Sequence, residues 1–470
     1  MTALDKQSLQ EQFDLAINYY EQEEFDFAIK EFSELIQLNP DYTDAYFYRG
    51  ASFFLQKNYD LALADYDKVI QLNPNDAEAY FYRGLCFYNR NNYDFAIADY
   101  NSVIALNTEY PEPYFNRGLC HFAQKNYDAA LDDYNYYIKL NPSDVEVYFK
   151  RAQCFFKQKN YPLALIDYDK YIELNLSEPI AYVYRGLCYY AQKNYEYALQ
   201  DYDKAIQLNY DDAETYFHRG CCHYTQKNYE LALGDYDKAI RLNHDDARAY
   251  FNQGDQYSEL NNCELALSNY DKAIQLYFDN AKSYYKRGNC FYAQKDYEAA
   301  IIDYDSAIQL DAENAKAYFK RACCYLKLNN YDYALVDFNK AIVLKPTYWQ
   351  AYLGRGNCYY TQDKYQFALI NYDKVTHLNP IKTIAYFRLA YCYLKLNNRD
   401  LAIINLNTAI RLKPDYTQAY FYRASCFYVQ KNYALALNDY DKAIQLNINN
   451  NTAHINRLLC YAKLKIRNLL

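Results

Sequence analysis

Two groups of residues in this 470-residue chain have the types and spacing to bind something. The first is His218, Cys221, Cys222 and His223, four residues of metal-ligating type within six positions, with His218 and Cys221 on one helical face and Asp255 a further candidate. The second is a series of cations at a constant interval. Arg248, Lys282 and Lys316 stand 34 residues apart, and Lys286 and Lys320 repeat that interval one helical turn further on. Cations so placed hold acidic groups. There is no nucleophile motif and no Gly-rich phosphate loop, and the six histidines are scattered. Cys222 and His223 fall in columns of packing residues, so no catalytic residue, no metal and no cofactor are expected.

The elements that carry these residues follow from an internal repeat. Shifting the chain on itself by 34 residues aligns Tyr46, Tyr80, Tyr114, Tyr148, Tyr182, Tyr216, Tyr250, Tyr284, Tyr318, Tyr352, Tyr386 and Tyr420 without a gap. With Leu9 as position 1, thirteen units run from 9 to 450, preceded by a lead-in at 1–8 and followed by a half-unit at 451–470. Position 8 is always Gly or Ala, position 20 is always Ala, and positions 11 and 24 are nearly always aromatic. Small residues at fixed spacing mean helices that approach closely, with bulky rings filling the space between them. Two stretches of 3- and 4-residue apolar spacing, separated by an Asn at position 16, make each unit a pair of helices; Pro40, Pro74, Pro142, Pro346, Pro380 and Pro414 close the second.

Arginine recurs at position 7 with Asp at position 23, and where the Arg is lost so is the Asp: Gln253 goes with Asn269, Leu389 with Asn405 and Leu15 with Glu31. That covariation predicts a structural ion pair between the two helices. Cysteine marches with the repeat at position 10, from Cys86 to Cys460, as a small buried group does. Tyr137 and Tyr171 put rings at position 27, where most units have smaller residues, and predict a local splay of the stack.

Composition agrees with one continuous array. Only 10 Gly and 10 Pro are present, no linker interrupts the chain, and 51% of residues are hydrophobic and 19% aromatic. A net charge of −9 argues against nucleic acid as a partner. No apolar run approaches the ~18 residues of a membrane span, and Met1–Tyr20 holds no signal-type apolar stretch. A cytoplasmic protein with no membrane partner is expected.

The columns at positions 4, 8, 11, 20, 24 and 32 on a 34-residue period resemble the tetratricopeptide repeat, departing from it in Tyr rather than Trp at position 4 and Arg rather than Leu at position 7. The resemblance implies an all-α fold, a right-handed superhelical solenoid of antiparallel helix pairs, with residues 451–470 as a C-terminal capping helix. It also implies a concave face lined by positions 2, 5, 6, 9, 12 and 13 of the first helices. On that face an aromatic stripe is expected from Phe81, Tyr88, Phe115, Phe122, Phe149, Phe156, Phe217 and Tyr224, and a basic patch from Arg248, Asn252, Lys282, Lys286, Lys316, Lys320 and Arg388. Asn252, Lys282 and Lys286 resemble part of the carboxylate clamp of tetratricopeptide cochaperones, whereas Phe217 and Cys221 depart from it.

The reading is a non-enzymatic scaffold that takes an extended or acidic segment of another protein in its groove. A substrate-presenting or co-chaperone adaptor is one alternative, although only Asn116, Asn252 and Asn456 supply the asparagine ladder of a substrate-presenting superhelix. A self-assembling solenoid is the other: residues 1–42 carry ten acids and two bases, and residues 451–470 carry four bases and no acid. A monomer is expected, with head-to-tail association if those ends meet.

Overall fold

A computed structural model describes residues 3–277, 280–447 and 451–467. Among the described residues there are 27 α-helices and no strand. They belong to two compact units, Met1–Leu242 and Asn243–Leu470. Within each unit, every second helix packs on the first helix of its own repeat and on the first helix of the next. The chain is thus an all-α solenoid of antiparallel helix pairs.

The same local rules build every repeat. A first helix takes positions 1–13, as in Thr43–Leu55, and a second takes positions 17–30, as in Tyr59–Leu72. The residue at position 15 reverses the chain in the left-handed region, with φ of 62° at Lys57, 61° at Asn91 and 62° at Lys125. There the Lys57 amide donates to the Phe54 carbonyl and the Asn58 amide to the Phe53 carbonyl, both at 2.8 Å, which satisfies the last carbonyls of the first helix. The Asn at position 16 precedes the second helix as its sequence position suggests. Its side chain caps that helix at Asn126, Asn262 and Asn398 but makes no capping bond at Asn58 or Asn92.

Close approach of the two helices depends on position 8. A Cβ placed on Gly118 would lie 2.6 Å from Cε1 of Tyr134, the ring at position 24 of the same repeat. The alanines of position 20, such as Ala96 and Ala130, are fully buried for the same reason. Every repeat but one therefore buries a ring between small residues, from Phe32 to Tyr440, and Leu406 takes that place in the repeat 383–416.

Tyr137 and Tyr171 are taken up as core residues, which accounts for rings at position 27. Both are buried, with ring centroids 5.3 Å from Phe115 and 5.1 Å from Phe149. In other repeats a ring from position 34 meets position 5, as Tyr348 meets Phe319 at 4.9 Å and Tyr416 meets Phe387 at 5.0 Å. At the start of the chain, the helix Ala3–Glu21 takes in residues 3–8, read from sequence as a lead-in. At the other end, the helix Asn451–Arg467 buries Ala453 and Cys460 against Ala436 and Tyr440.

Candidate functional site

The arginines of position 7 are structural. Arg185 grips Asp201 of its own repeat through Nε and Nη2 at 2.9 and 2.6 Å, and donates from Nη1 to Asp169 of the preceding second helix at 2.7 Å. Its guanidinium also lies 5.5 Å from the centre of the Tyr182 ring. The arrangement recurs from Arg83 to Arg423, so each arginine ties one repeat to the one before it. Burial pushes the Asp201 carboxyl up while Arg185 acts against it. The acceptor on the preceding repeat, position 25, went unread in the sequence because it alternates among Asp169, Asn135 and Ser33.

The His–Cys run is spread through the core and its edge. Cys222 is fully buried, burial pushes its thiol up to about 12, and Cys221 accepts from the Tyr236 hydroxyl at 3.7 Å. His218 bonds Glu214 at 3.1 Å and stacks on the Tyr202 ring, and burial lowers the pKa of His223. Among the described residues no group of three or more His, Cys, Asp or Glu side chains is placed to hold a metal ion.

The expected aromatic stripe divides by position. Phe81, Phe149 and Phe217 at position 5 are buried against Tyr100, Tyr168 and Tyr236, and Phe115 is half-buried against Tyr134 and Tyr137. The three buried rings are packing residues rather than an open track, because a ring from position 24 covers each of them. Tyr88, Phe122, Phe156 and Tyr224 at position 12 are half-buried and lean on Tyr93, Tyr127, Tyr161 and Tyr229 of the following turn.

The basic series lies wholly in the unit Asn243–Leu470. Lys282 and Lys316 are exposed. Arg248 is exposed too and folds back on the buried Asp246, with Nη2 2.8 Å from its carboxylate. Lys286 pairs with Asp255 at 3.1 Å, so its charge is largely met within the protein. The Lys320 ammonium sits 5.1 Å over the Tyr292 ring, and the Arg388 guanidinium 4.8 Å over Tyr360. Asn252, on the same helix as Arg248, is half-buried.

On this same face the structure opens an apolar cavity of about 330 Å³, walled by Tyr292, Phe319, Cys323, Leu326, Trp349 and Leu353, with Lys327 and Lys382 beside them. Its walls come from positions 1, 2, 5, 6, 9, 12 and 13 of three successive first helices, with Phe338 of the second helix Tyr331–Leu344 and Lys382 just before the helix Thr383–Lys395. The second helices carry a different feature that periodicity did not single out. Ile302, Val336, Ile370 and Ile404, all at position 22, are exposed by 57–67%, and Tyr333 and Phe367 at position 19 lie beside them. No described helix is long and apolar enough to cross a membrane.

Comparison with known proteins gives the family. Models described as tetratricopeptide repeat match residues 43–76, 111–144, 179–209, 213–246, 281–314 and 315–348, and further ones match 65–98, 247–280 and 387–451. A model described as TPR repeat matches 18–57 and 84–125. No curated protein matches significantly. Among solved structures, YrrB, described as a TPR protein with an unusual peptide-binding site, is 29% identical over 39% of this chain and 95% of its own, with a TM-score of 0.36. A tetratricopeptide repeat protein from Parabacteroides merdae is 19% identical over 53% of this chain and 98% of its own, at 0.39. Yeast Tom70 is 18% identical over 91% and 96%, at 0.35. The family models together cover more than half of the sequence, and the chain belongs to the tetratricopeptide repeat family.

Proposed function

We propose that this tetratricopeptide scaffold is non-enzymatic and holds an extended, acidic segment of another protein against the first helices of residues 247–395. The observation that carries this reading is the exposed charge of those helices. Lys282 and Lys316 present exposed cations at the same position of two successive repeats, and Lys320 and Arg388 add cations held over aromatic rings; Arg248 continues the series but already meets Asp246. Cations on one face at a repeating interval match an extended chain with carboxylates along it, and the match raises association rate and specificity more than affinity alone. Lys286 contributes less, because Asp255 already meets it. Apolar side chains of the same segment would rest on the half-buried rings between the cations.

The test is anisotropy of a fluorescein-labelled glutamate-rich peptide with the full chain and with Lys282→Glu/Lys316→Glu/Lys320→Glu, after circular dichroism shows equal helix content. The full chain should bind, and lose affinity steeply as salt rises. The charge-reversed chain should bind about tenfold more weakly or not at all. Equal binding by both would remove the basic face as the site.

A further inference from the structure

In four repeats a ring at position 6 stacks on the ring at position 24 of the preceding repeat. Tyr48 stacks on Phe32, Tyr82 on Tyr66 and Tyr184 on Tyr168, each with ring centroids 6.0 Å apart. The repeat that begins at Trp349 has Gly354 there. The Phe338 ring comes up beneath it so closely that a Cβ on Gly354 would lie 2.4 Å from its Cζ. Phe338 is fully buried there, and its ring takes the space that a side chain at 354 would fill. The 330 Å³ cavity described above opens at this place, at the small end of the ~300–1,000 Å³ range of ligand pockets and of a size for one large side chain.

Its chemistry is equally specific. The walls are apolar, from Phe319, Leu326, Leu353 and Trp349, while the charged lining residues are Lys327 and Lys382 with no acid among them. Lys382 holds its ammonium 5.1 Å over the Trp349 ring, and Lys320 does the same at the Tyr292 wall. We propose that this pocket is the anchor site of the bound segment and takes one aromatic or branched aliphatic side chain flanked by carboxylates. The apolar group packs on Phe319, Leu326, Trp349 and Leu353, and the flanking acids meet Lys320, Lys327 and Lys382. This rests on the reading that an acidic segment lies on the first-helix face, and it adds which residue of that segment is read.

Trp349 is the only tryptophan of the chain and lines the pocket, so it reports occupancy directly. The experiment titrates the full chain with acetyl-Glu-Asp-Phe-Asp-Glu-amide and follows Trp349 emission. Two control peptides replace Phe with Gly, or every acid with its amide. The Phe peptide should change the emission saturably, and each control should bind about tenfold more weakly or worse, as loss of a buried anchor or its charge partners does. Gly354→Ala drives a methyl into Phe338 and should weaken the Phe peptide alone. Because that change also strains the fold, Lys327→Glu/Lys382→Glu serves as the second variant, altering only side chains at the cavity mouth; it should give the same tenfold loss at unchanged helix content.

Equal affinity for the Phe and Gly peptides, or no saturable emission change with any peptide, overturns the pocket. The two readings fail separately. If the Gly peptide binds as well as the Phe peptide and both are lost in Lys282→Glu/Lys316→Glu/Lys320→Glu, the basic face stands without an anchor. If the glutamate-rich peptide shows no binding while the Phe peptide still saturates Trp349, the pocket stands and the extended basic track falls.

Discussion

The tyrosine at position 24 is buried throughout, and what its hydroxyl meets follows position 9 of the same repeat, except at Tyr168, whose hydroxyl has no partner although position 9 is Gln153. The hydroxyls of Tyr66, Tyr100, Tyr134 and Tyr202 are buried with no hydrogen-bond partner, and position 9 there is Ala51, Leu85, Leu119 and Leu187. In the later repeats Tyr270 donates to Asp255 at 2.6 Å, Tyr304 to Asn289 at 2.9 Å and Tyr372 to Asn357 at 2.8 Å. A buried hydroxyl without a partner costs free energy that a phenylalanine avoids, and the fold already uses Phe32 and Phe338 at this position. Tyr100→Phe should therefore leave the melting temperature unchanged or raise it, by the equivalent of up to ~1 kcal/mol. Tyr304→Phe removes the donor that Asn289 accepts from, and should lower stability by ~1 kcal/mol. Parallel thermal scans of the two variants check this, and a fall of equal size in both would show that the hydroxyl of Tyr100 is satisfied after all.

At the level of the helix pair, what could be read from sequence is what close packing forces to be invariant. Gly118 must be small because the Tyr134 ring lies against it, and Asp at position 23 occurs only with Arg at position 7, although Arg355 also bonds Asn371 there at 2.7 Å. Interactions that several residue types can satisfy left no column to read. Position 25 accepts from arginine equally well as Asp169 or Asn135, and position 5 is covered by a ring from position 27 or from position 34. The candidate site suffered in the same way: Gly354 in a column of mixed residue types reads as variation until Phe338 is seen beneath it, and Lys286 reads as an open cation until Asp255 is placed beside it. The left-handed residue at position 15 was hidden by its own chemistry, since Lys57, Lys125 and Lys193 are not residues that favour φ near 62°. Lysine carries a steric penalty there that glycine does not, and glycine is the commonest residue at this place after a helix. Lys57→Gly, Lys125→Gly and Lys193→Gly should each stabilise the chain by ~1 kcal/mol, read as a stepwise rise in melting temperature as they are combined. A fall would mean that the lysine side chain makes an interaction worth more than the backbone strain.

At the scale of the whole array, stability is held locally, because each repeat packs only on its own helices and on its neighbours. The hydrogen bonds between repeats say the same: Arg423 reaches back to Asn407 and Gln430 to Asp400, one repeat away and no further. An end of such an array exposes the surface that a neighbour would cover, and the helix Asn451–Arg467 supplies that cover. Ala453 and Cys460 are buried by it, Asn456 donates to the Tyr440 hydroxyl at 3.2 Å, and Arg457 pairs with Asp441. Removing residues 448–470 should therefore open the helices Thr417–Val429 and Tyr433–Gln445 to solvent, at a local cost of ~2 kcal/mol from the apolar surface uncovered around Ala436 and Tyr440. Hydrogen exchange resolves this by segment. Amides of those two helices should exchange faster in the truncated chain, by the factor of about thirty that ~2 kcal/mol gives. Amides of Thr43–Leu55 and Tyr59–Leu72, many repeats away, should keep their protection. A uniform loss of protection along the chain would instead mark one cooperative body, in which stripping the last helix weakens every repeat to the same degree.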